Sequence, residues 1–141
     1  MYANMYMRFN AGKCKCMHLG KGNSNHQYNM ANTPIENIKT EKDLGVTFDN
    51  ELKFNEHIAL KVKKANQAIG MIRKTFTCMD PDIFIPLYKS LVRPHLEYAS
   101  VIWSPTYKKD IIAIENVQRR ASKMVTGLKE KKLSLIFSLS I

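Results

Sequence analysis

Near the start of the sequence Cys14, Cys16, His18 and His26 are side chains of the types that hold zinc. Their spacing speaks against that use. Structural zinc sites bring paired cysteines typically with about two to four residues between them, and a single-residue gap on an extended strand strains the chelate. A strand face burying two small thiols is the better reading of Cys14 and Cys16. These two are also too close for an ordinary disulfide, and Cys78 makes the count odd, so reduced thiols are expected. Gly20-Lys21-Gly22-Asn23 looks like a phosphate loop only in composition: the G-x-x-x-x-G-K-[ST] spacing is missing, and a hairpin turn is expected instead. Asp80 and Asp82 flank Pro81, a helix-start signature that gives both carboxylates a capping role rather than a metal. The sequence has no nucleophile elbow, no H-E-x-x-H and no adjacent Asp-Asp pair. No catalytic residue, metal or cofactor is therefore expected from the residues themselves.

What remains is positive charge. The chain carries a net charge of +10, and it is unevenly placed: residues 1–50 hold six Lys/Arg against four Asp/Glu, residues 51–141 sixteen against eight. Such a surplus points to a polyanion, either nucleic acid or an acidic membrane surface. No run of about 18 apolar residues occurs and the N-terminus lacks a secretory pattern, so no membrane partner and an intracellular location are expected, nucleus and cytoplasm being left open. An apolar content of 45% in 141 residues suffices for one modest core or two small subdomains.

The elements that would carry this charge follow from periodicity. Residues 13–19 alternate and are followed by Gly20, Gly22 and an Asn/Ser cluster before His26 to Met30, a strand, turn, strand pattern. Residues 42–48, centred on Leu44, Gly45 and Val46, read as another short strand. From Asn55, expected as an N-cap, the period turns helical: Ile58, Val62, Ala65, Ile69, Ile72 and Phe76 form one apolar stripe, with Lys61, Lys63, Lys64 and Lys74 on its flanks and opposite side. A second helix opens at Asp80-Pro81, with Pro86 near its first turn. Pro94 forces a separate helix or a bent continuation up to Trp103. The last helix runs from about Lys108 to Thr126 with Gly127 as its stop. Its apolar stripe is Ile111, Ile114, Val117, Ala121 and Val125, and Lys108, Lys109, Arg119, Arg120 and Lys123 lie on the far side.

Four strings, FNAGKCKCMHLG (Phe9 to Gly20), EKDLGVTFDNELKF (Glu41 to Phe54), LYKSLVRPHLEYASVIWSP (Leu87 to Pro105) and IENVQRRASKMVTGL (Ile114 to Leu128), come in that order. Together they resemble the region after the catalytic core in reverse transcriptases of non-LTR, LINE-like retrotransposons of the jockey and CR1 type, over about residues 7–128. The resemblance implies the end of a palm followed by a thumb that holds a template–primer duplex by its phosphates. It makes Lys13 a remnant of a general acid and Leu44-Gly45-Val46 a primer-grip turn. The three Mg2+-binding carboxylates of the family lie upstream of Met1, so the resemblance implies a fragment of an RNA-directed DNA polymerase with no enzymatic activity of its own. Past Leu128 the tail leaves the family pattern.

The fold expected is thus α+β: a small β-hairpin region over residues 1–50, a helical, thumb-like bundle of three to four helices over 51–128, and a divergent tail over 129–141. The partner expected is RNA-DNA or DNA duplex, bound through Lys61, Lys64, Lys74, Lys108, Lys109, Arg119, Arg120 and Lys123. An inert product of a degenerate reading frame, or part of a longer active polymerase, are the alternatives.

Overall fold

A computed structural model describes residues 10–77 and 79–125, and the fold is α+β. The expected stop at Gly127 and the tail over 129–141 lie outside the described residues. The chain divides into two compact units between Leu52 and Lys53.

In the upstream unit a 3-10 turn, Ala11–Lys13, leads into three two-stranded sheets among the described residues. Strand β1 (Lys15–Cys16) pairs in parallel with β4 (Glu36–Asn37); β2 (Asn29–Met30) pairs antiparallel with β3 (Thr33–Pro34), and β5 (Thr40–Asp43) with β6 (Val46–Asp49). The strand, turn, strand pattern expected across residues 13–30 is therefore corrected. Left-handed residues at Gly20, Gly22 and Asn25 open a wide loop rather than a tight turn, and the Gly20 N–H donates to the Asn50 carbonyl at 3.0 Å. The tight turn sits at Ala31-Asn32, both left-handed, as a two-residue hairpin that follows strand twist requires. Residues 42–48 are likewise corrected from one strand to a hairpin. Leu44 (φ 46°) and Gly45 (φ 81°) form its turn, with Asp43 opposite Val46 and Thr40 opposite Asp49.

The downstream unit is helical. Helix α1 (Asn55–Thr75) buries Ile58, Ala65, Ile69 and Ile72 as expected, but also His57, while Phe76 at its end stays exposed. Its cap is not Asn55. Phe54, in the left-handed region at φ 56°, accepts the first helical bond from the Ile58 N–H at 2.9 Å, and Asn55 is the first residue inside.

Helix α2 (Pro81–Leu87) starts after Asp80 in extended conformation, as the Asp-Pro signature predicts, although Asp80 caps with its carbonyl rather than its carboxylate. It runs through Pro86 into a π turn (Tyr88–Val92) and on into α3 (Arg93–Glu97). The prolines explain the widening. Pro94 has no N–H for a fourth-residue acceptor, and the turn passes it by shifting the ladder, with the Arg93 N–H reaching back to the Tyr88 carbonyl. Of the two expectations for Pro94, the bent continuation holds as far as Glu97. Ala99 at φ 56° then breaks the path, and α4 (Ser100–Trp103) is separate.

Phe84, Tyr88, Val92 and Leu96, four residues apart throughout, keep one buried stripe across the α-π-α run, and α1 packs against the π turn, α3 and α5. Helix α5 (Lys108–Ser122) buries Ile114, Val117 and Ala121, with Val125 buried beyond its end. Ile111 is a correction: it is 38% exposed, and Asp110 takes the buried place one residue earlier. At about 100° per residue Asp110 falls within the sector of Val117 and Ala121, whereas Ile111 lies outside it.

Candidate nucleic-acid interface

The second half of α1 and the second half of α5 border one open groove of about 920 Å³. Helix α1 and its end supply Asn66, Ile69, Gly70, Arg73, Phe76 and Thr77; α5 and its end supply Asn116, Arg119, Arg120, Lys123 and Met124, with Met79 between. Four of these side chains are cations and none is a carboxylate.

The arrangement follows from helix geometry. On α1, Asn66, Gly70 and Arg73 stand four and three residues apart, a line within about 60° that flanks the buried stripe, and Thr77 follows just past the helix end. On α5, Asn116, Arg119, Arg120 and Lys123 make the equivalent line. One of the Arg120 Nη1 hydrogens is donated to the Asn66 Oδ1 at 3.1 Å, which ties the two lines together. A guanidinium has five donors in a planar fork, so Arg120 keeps the rest for an anion.

Gly70 lines the groove as well. It is exposed in mid-helix, and a Cβ built on it meets nothing within 4 Å. Glycine costs about 1 kcal/mol against alanine at such a position, and here no neighbouring atom demands it for packing. Its consequence is that no side chain projects into the groove from this position between Asn66 and Arg73.

The structure thus divides the eight cations expected to hold nucleic acid. Arg119, Arg120 and Lys123 converge in the groove. Lys74, with Lys63, lies exposed farther round α1 on the groove side. Lys64 turns about 150° away from the groove line and does not join it. Lys61 lies over the Tyr98 ring, its Nζ 5.0 Å from the centroid, and Lys109 lies over Tyr107 at 5.7 Å. Lys108 and Lys109 open α5, about 16 Å of helix rise before Arg119. The two whole basic faces expected are therefore corrected to one cationic groove with dispersed cations elsewhere.

Arg73 is the cation that sequence reasoning missed. It flanks the apolar stripe rather than opposing it, and the signal was present: Asn66, Gly70 and Arg73 repeat the polar spacing of Asn116, Arg120 and Lys123.

In the upstream unit Lys13 is exposed at the end of the 3-10 turn. The grip-like residues separate into an 83% exposed Leu44 and Gly45 at a hairpin tip, with Val46 buried as the first residue of β6. Lys15 donates to the Glu41 carboxylate at 2.9 Å, and this bond, with the attraction of opposite charges, raises its pKa. The Cys14 thiol contacts the Asn10 carbonyl and the Met30 sulfur, Cys16 contacts His18, and His26 meets Tyr28 edge-on. Among the described residues no three His, Cys, Asp or Glu are placed to share a metal ion.

His57 of α1 and Trp103 of α4 are both buried with ring centroids 5.4 Å apart, and the Trp103 Nε1–H donates to the Tyr98 carbonyl at 2.7 Å. Burial, with the Lys61 charge adding to it, pushes the His57 pKa down to about 4, so the imidazole is neutral at physiological pH. Burial likewise lifts the Tyr88 phenol to about 12. Both are core groups that hold the helices bearing the groove. No helix among the described residues is long and apolar enough to cross a membrane. No protein-family model, curated protein or solved structure matches the chain.

Proposed function

We propose that the helical unit binds nucleic acid by its phosphates without reading sequence, as the thumb of a non-LTR retrotransposon reverse transcriptase holds template–primer, and that the chain performs no polymerisation by itself. The observation that carries this is the groove in which Arg73, Arg119, Arg120 and Lys123 gather without a carboxylate. Gathering matters because like charges repel: four cations around one concavity cost stability unless an anion is received there. Arginine and lysine differ usefully in this role, the three guanidinium forks fixing phosphate oxygens in a plane and the ammonium adding a mobile point charge.

The test is binding of the purified chain to labelled oligonucleotides of unrelated sequence across about 50 to 200 mM salt. Sequence-independent binding that weakens steeply over this range is expected, with the double variant R119E/R120E abolishing it and leaving the circular dichroism spectrum unchanged. Single Arg73→Ala and Lys123→Ala substitutions should each lower the slope of log K against log salt by about 1. Salt-insensitive binding, or an unaffected R119E/R120E variant, would end the reading and leave the inert reading in its place.

A further inference from the structure

The groove is lined by apolar side chains as well as by cations. Ile69, Phe76, Met79 and Met124 share its lining with the four cations and two asparagines. Phosphate binding alone gives these side chains nothing to do. A paired duplex presents phosphates and sugars on its outside and keeps its base faces inside the stack, so seating one here would give the apolar side chains no base face to stack on. An unpaired strand differs, because its phosphates can meet the arginines while a base face lies on an aromatic or thioether surface.

Phe76 is suited to that contact. It follows the last residue of α1 in an extended conformation, with its N–H held by the Ile72 carbonyl, and as a residue it is 36% exposed in the lining of the groove, where the core stripe of α1 has ended. Gly70 lines the same groove, about 9 Å of helix rise before Phe76, with nothing within 4 Å of where its Cβ would stand.

From this we infer that the groove is a site for an unpaired nucleic-acid strand, with a base seated above Gly70 and stacked against Phe76 and its phosphates held by Arg73, Arg119, Arg120 and Lys123. The inference rests on the polyanion reading above and narrows it: of the parts of a template–primer, this groove takes a single-stranded stretch rather than the duplex.

Titration of the full chain with a fluorescein-labelled oligodeoxythymidine, and separately with its blunt duplex with oligodeoxyadenosine, tests the preference. The single strand should bind at least about tenfold more tightly at equal salt. Phe76→Ala should weaken single-strand binding about five- to a hundredfold and leave the salt slope and the duplex affinity unchanged. Gly70→Leu is the second variant: leucine favours the helix more than glycine and meets no neighbour, so thermal stability should hold or rise while single-strand binding falls. Equal or tighter duplex binding, or a Gly70→Leu chain that binds the single strand as before, overturns the single-strand site with the polyanion reading intact. Failure of both probes to bind in a salt-dependent manner overturns the polyanion reading itself.

Discussion

His57 illustrates how one side chain sets a condition on the whole helical unit. Its imidazole is buried at 1% exposure against Trp103 and takes up a proton only near pH 4, because burial and the Lys61 charge both disfavour the cation. In the unfolded chain the same group titrates near 6.5, so between those values the unfolded state binds more protons. The stability present above pH 6.5 is therefore lost as pH falls towards 4, and no further through this group below it. After allowance for residual solvent screening the loss is about 1–2 kcal/mol. Urea midpoints at pH 7 and pH 4.5 check this: His57→Phe should lose less on acidification than the parent chain, and equal losses would remove His57 as the cause. In the upstream unit Leu44 is 83% exposed in the left-handed region where a β-carbon costs about 1–2 kcal/mol. Leu44→Asn, a residue that tolerates this conformation, is expected to stabilise the hairpin by about 0.5–1 kcal/mol, read as a rise in the urea midpoint with unchanged m.

At the scale of elements, α1 and α5 owe their groove to how closely they meet. Ala65 and Ala121 are both fully buried, and each is the chain neighbour of one member of the Asn66–Arg120 pair that bridges the helices. Small side chains there let the backbones approach, so Ala121→Leu should destabilise the unit by about 1–3 kcal/mol through overpacking. It should also weaken oligonucleotide binding by spreading the two polar lines, whereas Ala113→Leu, half-buried on the same helix, serves as the control. The helices themselves were legible because a single stripe of apolar residues, from Ile58 to Ile72 and from Ile114 to Val125, repeats at helical spacing. The π turn was not, since it answers Pro94 through a shift of hydrogen-bonding partner that leaves the spacing of Phe84, Tyr88, Val92 and Leu96 untouched. Nor was the groove: Arg119, Arg120 and Lys123 stand out in the sequence, but their meeting with Arg73 depends on the alignment of two helices about 50 residues apart, which no local period encodes.

For the whole molecule, the two units differ in what stabilises them. Among the described residues the helical unit buries Ile58, Phe84, Tyr88, Leu96, Trp103 and Ile114 with their neighbours, while in the upstream unit Val46 is the sole buried apolar side chain. Burying a large apolar side chain contributes about 1.5–3 kcal/mol, so Trp103→Ala should cost the helical unit about 3–5 kcal/mol. Most strands upstream are two residues long, and two-stranded sheets with exposed faces are marginal in water. This is also why that unit was the less legible one: two-residue strands have no period to read, and their pairing is decided by turns at Ala31-Asn32 and Leu44-Gly45. Native-state amide exchange separates the units directly, because opening free energy follows buried apolar contact. The slowest amides should lie in α1 around Ala65 to Ile72 and in α5 around Val117 to Ala121, with residues 13–48 exchanging faster. The strongest protection within residues 13–48 would mean that the hairpins carry stability not visible in their burial, and would undo the assignment of the core to the helices.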